Sequence, residues 1–100
     1  TTEGWKESAS PEDVHYACRY LRCEPDDLTE AMIAACLSCV SDMAIVPMAD
    51  WLHLGAEARI NAPSTQGANW QWRLATPLTG LLADHIADLT VLYDRTPAAE

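Results

Sequence analysis

Four cysteines are the residues whose spacing first suggests chemistry. Cys18 and Cys23 form one pair and Cys36 and Cys39 another, so together they imitate the two halves of a zinc site. The second pair, however, lies in a stretch of strong helical character, without the Gly or Pro turn of a zinc knuckle. Cysteine is also among the residues most often buried as an apolar side chain. The pattern favours buried free thiols over zinc or disulfides, and a reducing, cytoplasmic setting.

Carboxylate and imidazole side chains are the next candidates for catalysis. Asp50 and Glu57 are a candidate carboxylate pair for acid–base chemistry, but nothing around them in the sequence implies a raised pKa for either. His15, His53 and His85 are isolated from one another along the chain, which is typical of partly exposed or internally paired histidines. We therefore assign none of the three histidines a role as a base or a metal ligand.

The overall charge narrows the range of partners. Six Lys+Arg against 15 Asp+Glu give a formal net charge of -9, and the acids are scattered along the chain. Nucleic acid is an unsuitable partner, because its phosphates are bound by Lys and Arg. The longest apolar run, residues 31–37, is too short to cross a bilayer, and residues 1–10 lack the features of a signal peptide. We expect no membrane partner, no secretion and no cofactor.

Three helices must position the polar residues. Ser10 followed by Pro11 and two acids is a helix start, which predicts a helix over about residues 11–22. Residues 24–27, EPDD, are a second acidic helix start and predict a helix over about residues 28–40. Thr76 with Pro77 predicts a third helix over about residues 77–94. Apolar side chains at helical spacing indicate the packed faces: Val14, Ala17, Cys18 and Leu21, then Met32, Ile33, Cys36, Leu37 and Val40, then Leu78, Leu81, Leu82, Ile86, Leu89 and Leu92.

A single strand is predicted over about residues 43–48. The segment is short and apolar, and its β-branched Ile45 and Val46 are typical of a strand that is buried on both faces in a parallel sheet. Such a strand leaves its hydrogen-bonding edges unpaired unless neighbours lie elsewhere. The chain is thus expected to be a piece of a larger α/β protein, or to join an assembly that supplies the sheet.

The remaining segments show no sustained helical or strand periodicity in their apolar residues. Residues 1–9 are a polar lead, and residues 50–54 can make one helical turn that Gly55 ends in a left-handed cap. Residues 55–75 contain Pro, Gly and Asn and are predicted to form one loop of about 20 residues. A loop of that length in a small domain indicates a functional surface when its residues support one.

The loop carries a dense and chemically unusual motif. Residues 54–63 read LGAEARINAP and residues 67–74 read GANWQWRL. They resemble the pattern L-G-x-E-A-R-x-N-x-P-G-T, then G-N-W-x-W-R, which closes the sequences of amylomaltases, or disproportionating enzymes, the 4-alpha-glucanotransferases of glycoside hydrolase family 77. Residues 1–5, TTEGW, are similar to the T-T-x-G-W that follows the family's His-Asp pair, and residues 44–48 resemble its last barrel strand. The resemblance covers nearly the whole chain.

The resemblance implies both a fold and an activity. The chain would be a C-terminal fragment of a (β/α)8 TIM-type barrel, α/β in class but mainly helical, with residues 43–48 as strand eight and its neighbours upstream. The family transfers α-1,4-glucan segments to the 4-hydroxyl of an acceptor by a retaining double displacement, which needs two carboxyl groups about 5 Å apart. In the family all catalytic carboxylates precede the position of Thr1. The chain alone is therefore expected to be inactive, and its expected partners are the upstream strands and an α-1,4-glucan or maltooligosaccharide.

The same resemblance assigns substrate binding to the loop. Asn61 is the expected glucan contact, with Pro63 beside it, and residues 62–67 would lie over the cleft. An Asn amide donates and accepts hydrogen bonds at once, which suits neighbouring sugar hydroxyls. The other motif residues are expected to clamp and anchor the loop instead of touching sugar: Glu57, Arg59, Asn69, Trp70, Trp72 and Arg73.

Two positions depart from the family pattern. Ser64 stands where the family has Gly, so that a positive φ is less easily adopted there, and Lys6 stands where a second Trp is common. These two departures leave open which acceptor sugar would be preferred. The alternative hypothesis is a free-standing helical interaction or glucan-binding module that shares the motif without catalysis.

Overall fold

Helices form almost all of the regular structure. The computed structural model describes residues 1–60, 66–67 and 69–97. Within these ranges lie five α-helices and two 3₁₀ turns, and no helix there is both long and apolar enough to cross a membrane. The helices are α1 (Thr2–Ser8), α2 (Pro11–Leu21), α3 (Leu28–Ser38), α4 (Met48–Trp51) and α5 (Gly80–Leu92), and the turns are Pro25–Asp27 and Ala56–Ala58.

Two of the helix starts show how local capping decides a boundary. At α2 the Ser10 hydroxyl accepts a hydrogen bond from the Asp13 amide at 3.2 Å, and Pro11 is the first helical residue, as its fixed φ favours. The predicted start of the last helix near residue 77 was wrong. Thr79, whose hydroxyl accepts from the Leu82 amide at 3.2 Å, is the N-cap of α5 in place of Thr76.

Helix α1 was missed by the sequence, which indicated only a polar lead over residues 1–9. It has no buried residue and therefore no apolar stripe to reveal it. Capping and charge form it instead. The Thr1 hydroxyl accepts from the Gly4 amide at 3.0 Å, and Lys6 Nζ lies 2.9 Å from Glu3 Oε2 one turn earlier.

The predicted left-handed cap at Gly55 was also wrong. Gly55 has φ -85°, and His53, with φ 54°, takes the left-handed position after α4. The Leu54 amide donates to the Ala49 carbonyl at 2.8 Å, which is the six-to-one bond of a Schellman ending. Because α4 starts at Met48, two residues before the predicted turn, its ending also comes earlier.

Within the described residues no strand is present, so the strand predicted over residues 43–48 was wrong for this chain by itself. Residues 43–47 have no regular secondary structure. Ala44 and Val46 pack against the core, whereas Met43 and Ile45 are 74% and 78% exposed. The segment thus buries one face only. A strand is made by ladder hydrogen bonds to a neighbour, and no other described segment supplies one.

The core lies between α3, α4 and α5. Ile33, Leu37 and Trp51 are its buried members. Half-buried apolar side chains from residues 43–48 and from α5 and its C-terminal end surround them: Ala44, Val46, Met48, Leu82, Ile86, Leu89 and Tyr93. The predicted apolar stripes are therefore only partly covered, and several of their members remain more than half exposed: Val40, Leu78, Leu81 and Leu92.

Polar contacts fasten the same three helices together. Arg95 Nε donates to the Leu37 carbonyl at 2.6 Å and so satisfies the open C-terminal end of α3. On the other side of the core, Oε1 and Oε2 of Glu30 lie 2.7 Å and 3.1 Å from the Nε2 atoms of His53 and His85. Two histidines that are isolated in sequence thus share one carboxylate of α3.

Replacing Glu30 with glutamine should reduce the loss of stability in acid. Burial raises the pKa of this carboxyl, but hydrogen bonds from His53 and His85 outweigh burial and hold the pKa below its ordinary value. A carboxyl with a depressed folded pKa stabilises the protein above its unfolded pKa of about 4.3 and loses that contribution as the pH falls through the folded value. Since 34% of the Glu30 side chain is exposed, we expect its contribution to the free energy of unfolding to be about 0.5–1 kcal/mol.

Denaturant unfolding across a pH series checks this expectation. The Glu30→Gln variant should be less stable than the unmodified chain at neutral pH, and the two should converge in acid. Glu7→Gln, at an exposed position of α1, is the matched control. An equal pH dependence of stability in the unmodified chain and the Glu30→Gln variant would contradict the assignment.

Candidate functional site

A cavity of about 860 Å³ lies where α1, α4 and the turn Ala56–Ala58 meet. Most of its wall is apolar. Asp50 and Arg59 add the charged groups. Large side chains from separate parts of the chain face it: Trp5, Met48, Ile60 and Trp72. A concave, mostly apolar surface with a few polar groups is the usual form of a small-molecule site.

Helix α1 forms one wall and is placed by contacts with distant residues. The Thr2 amide donates to Asp50 Oδ1 at 2.8 Å, and the Thr29 hydroxyl donates to Glu3 Oε1 at 2.9 Å. Gly4 lies directly on the turn at Ala56, where an added Cβ would meet the Ala56 nitrogen at 3.0 Å. Any larger residue at this position would push α1 away from the turn.

Charge reinforces the placement of α1. Lys6 Nζ pairs with Glu3 and also donates to the Pro25 carbonyl at 3.1 Å. The hydrogen bond from Lys6 outweighs burial and holds the pKa of Glu3 below its ordinary value. Lys6, which departs from the family pattern, therefore ties α1 to the turn that precedes α3.

The motif loop is closed at its base. The Trp70 amide donates to the Ile60 carbonyl, which joins the two ends of the segment between them. Arg73 Nη1 donates to the carbonyls of Trp72 at 2.9 Å and Trp70 at 3.3 Å and so holds together the end of the loop that returns to the fold. Trp70 itself has φ 65°, a left-handed conformation that turns the chain back.

The start of the loop is held by Glu57. Its Oε1 accepts a hydrogen bond from the Gly55 amide at 3.0 Å. An added Cβ on Gly55 would lie 2.7 Å from Glu57 Oε2, so a larger residue there would require the carboxylate end of the flexible Glu57 side chain to shift. Arg59 lines the cavity, and the clamp between Arg59 and Glu57 stays a prediction.

The structure separates the two tryptophans that the sequence treated alike. Trp72 is half-buried in the cavity wall, whereas Trp70 leaves 68% of its surface exposed. Trp70 thus holds the loop through its backbone amide and not by packing its indole. Asn69 is half-buried. Asn61 and Pro63, the expected glucan contacts, lie outside the described residues, although Ile60 immediately before them is part of the cavity wall.

The cysteines do not converge on a metal. All four are free. Cys18 is buried as expected, but Cys39 is exposed, so its expected burial was wrong. Burial raises the pKa of the Cys23 thiol, and nearby Cys18 adds to the effect. In the part of the chain that the structure describes, no group of three or more His, Cys, Asp or Glu side chains could hold a metal ion.

The sequence did not identify Asp50 as a partner of α1, nor Glu30 as the meeting point of two histidines. These contacts join residues 48, 23 and 55 positions apart, and spacing along a single sequence carries no signal for such pairs. The only sequence indication for Asp50 is its place in the helical turn before the motif loop.

Known proteins match this geometry and sequence over nearly the whole chain. A family model described as 4-alpha-glucanotransferase matches residues 1–79. The chain is 37% identical over 100 residues to the chloroplastic/amyloplastic 4-alpha-glucanotransferase of Arabidopsis thaliana, covering 95% of this chain and 17% of that protein. It is 39% identical over 98 residues to a 4-alpha-glucanotransferase of Streptococcus pneumoniae, covering 95% and 19%.

A solved structure agrees as well. The amylomaltase of Streptococcus agalactiae, determined in complex with acarbose, superposes with a TM-score of 0.86 at 34% sequence identity. The match covers 95% of this chain and 20% of that one. The chain therefore spans about a fifth of the length of the relatives it matches.

Proposed function

Because this chain belongs to the 4-alpha-glucanotransferase family, we propose that it is the C-terminal part of an enzyme that transfers α-1,4-glucan segments to the 4-hydroxyl of an acceptor sugar. The reaction is a retaining double displacement. The observation that carries the proposal is the motif loop, which leaves and rejoins the fold beside the cavity at Ile60 and Trp70. In a (β/α)8 enzyme the loops after the strands form the substrate site.

The loop is proposed to bind glucan through Asn61, with Pro63 beside it. Several contacts support this placement. The base of the loop is held at Ile60, and Ile60 itself lines the cavity, so the next residue starts at the cavity rim. The related amylomaltase of Streptococcus agalactiae holds acarbose, an oligosaccharide analogue, which supports a saccharide as the ligand.

No residue of this chain is proposed to be catalytic. Four acids near the cavity or in the core already have structural partners, and they are spread among different parts of the fold. Asp50 and Glu57, once a candidate carboxylate pair, accept hydrogen bonds from the amides of Thr2 and Gly55. Glu3 binds Thr29, and Glu30 binds two histidines. The nucleophile and the acid/base group are therefore proposed to lie upstream in the complete polypeptide.

The exposed apolar side chains favour this proposal over an independent module. Val40 is fully exposed, and Ile45 and Leu81 are 78% and 83% exposed. A free-standing domain rarely leaves so many large apolar side chains in water. Upstream strands of the same barrel are the proposed partners for this surface, and residues 43–47 would gain the ladder bonds they lack here.

The cytoplasm is the proposed compartment, on the basis of the four free thiols. The Arabidopsis relative is named as chloroplastic/amyloplastic. Family membership by itself therefore does not fix the compartment.

In the complete polypeptide, Asn61→Ala should lower kcat/KM for maltotriose disproportionation about tenfold or more. Losing a side chain that hydrogen-bonds substrate hydroxyls costs about 1–3 kcal/mol in transition-state binding. The thermal unfolding temperature should stay unchanged, since the role assigned to Asn61 is contact with sugar. Gln71→Ala, which removes an exposed amide between the two tryptophans, is the matched control and should keep its activity. Unchanged kinetics in Asn61→Ala would indicate that Asn61 only caps a turn.

A further inference from the structure

Asp50 joins the two halves of the cavity wall. It is half-buried in the single turn of α4, and its Oδ1 accepts the Thr2 amide at 2.8 Å across 48 positions of sequence. Thr2, Asp50 and Ile60 all line the cavity, so the bond lies within the wall of the candidate site. No other described hydrogen bond connects α1 to α4.

The hydrogen bond from the Thr2 amide to Asp50 is of a strong type. Thr2 is the first residue of α1, and its amide is one of those that a helix leaves without an internal partner. A carboxylate at this end of a helix is favoured by the helix dipole, and charged acceptors make shorter, stronger hydrogen bonds. Thr1 satisfies the Gly4 amide with its own hydroxyl, so Asp50 supplies the partner that α1 cannot provide for Thr2.

The other contacts of α1 lie further along the helix. Glu3 binds Thr29, Gly4 packs on Ala56, and Lys6 reaches the Pro25 carbonyl. They fix the helix body but do not supply a partner for the Thr2 amide. Asp50 alone among the described contacts holds the backbone at Thr2, and with it the chain that leads upstream from Thr1.

We propose that Asp50 is a positioning residue for glucan transfer, holding the backbone of Thr2 so that the chain entering α1 and the motif loop keep a fixed separation across the cavity. This rests on the proposed function, in which the catalytic carboxylates lie upstream of Thr1 in the complete polypeptide. Consecutive residues are about 3.8 Å apart, so the residues just upstream of Thr1 start within a few ångströms of this bond. A misplacement of about 1 Å can cost about a hundredfold in rate.

Four variants of the complete polypeptide test the proposal with maltotriose as substrate. Asp50→Ala should lower kcat at least about tenfold while KM changes less than about twofold, because orientation and not binding is lost. Asp50→Asn keeps an oxygen acceptor and should recover most of kcat. Thr2→Pro removes the donor but suits the first position of a helix, and should match Asp50→Ala. Thr2→Ala keeps the backbone amide and is therefore the reference against which the kcat of Thr2→Pro is compared.

The double variant Asp50→Ala/Thr2→Pro should be no slower than either single variant, because both remove the same bond. Asp42→Ala, at an exposed position, is the control and should keep its activity. Circular dichroism verifies the helix content of every variant, and Thr2→Pro carries the test if Asp50→Ala fails to fold.

Several results would overturn the assignment. If Asp50→Asn is as slow as Asp50→Ala and the double variant is slower than both single variants, Asp50 acts other than through its bond to Thr2 and is not a positioning residue. If Thr2→Pro keeps the kcat of Thr2→Ala, the hydrogen bond has no role in the reaction. Both results presuppose an unmodified polypeptide that disproportionates maltotriose, whereas an unmodified polypeptide without transfer activity would refute the proposed function itself.

Discussion

Replacing Trp51 with alanine should lower the free energy of unfolding of the chain by about 3–5 kcal/mol. Trp51 is only 9% exposed and completes the core with Ile33 and Leu37. Its ring also meets His85 edge-on, with centroids 5.9 Å apart and planes at 88°. Truncation would remove the largest side chain in the core and open a cavity between α3, α4 and α5. That loss is a large part of the 5–15 kcal/mol that stabilises a typical domain.

Chemical denaturation followed by circular dichroism measures this loss. Trp70→Ala is the matched control, because Trp70 is 68% exposed and its left-handed backbone is no harder for alanine to adopt. Its stability should change by only about 0.5 kcal/mol. Equal destabilisation of the two variants would mean that Trp51 does not hold the core together.

Local signals predicted the helices whose ends are decided locally. Ser10 and Pro11 start α2 because the N-cap bond and the fixed φ of proline both act within one turn. Helix α1 also has a local cap at Thr1, but it buries no side chain and so shows no apolar stripe. Its position depends on Asp50 and Thr29, which lie 48 and 26 positions from their partners in the helix. Long-range contacts of this kind leave no trace in spacing along one sequence.

The strand over residues 43–48 fails for a related reason. Its composition is that of a strand, and its side chains do alternate between the core and solvent at Ala44, Ile45 and Val46. A strand also needs neighbours for its backbone groups, and a composition pattern cannot supply them. The missing neighbours were themselves inferred from the sequence, and they agree with a chain that spans about a fifth of its relatives.

In the candidate site, too, some features could be predicted from the sequence and others depend on how the chain folds. The motif indicated the 4-alpha-glucanotransferase family, and the family model does match residues 1–79. It did not indicate that Trp70 acts through its backbone, nor that His53 would take the left-handed position expected of Gly55. Both features depend on how the chain turns, and a non-glycine residue in that conformation is rarely expected from sequence.

The isolated chain should have no glucan transfer activity. A retaining glucanotransferase needs a nucleophile and an acid/base carboxyl about 5 Å apart, and removing them costs many orders of magnitude in rate. In this chain Asp50, which lines the cavity, and Glu57 hold the amides of Thr2 and Gly55. In the proposed function the motif loop binds and orients the sugar, and the attacking group comes from upstream in the complete polypeptide.

Incubating equal molar amounts of the isolated chain and the complete polypeptide with maltotriose gives the sharpest test of the proposed function. We expect the complete polypeptide to release glucose and build longer maltodextrins, and the isolated chain to yield neither above the background without enzyme. Disproportionation by the isolated chain, or none by the complete polypeptide, would contradict the assignment of this chain as the non-catalytic C-terminal part of a 4-alpha-glucanotransferase.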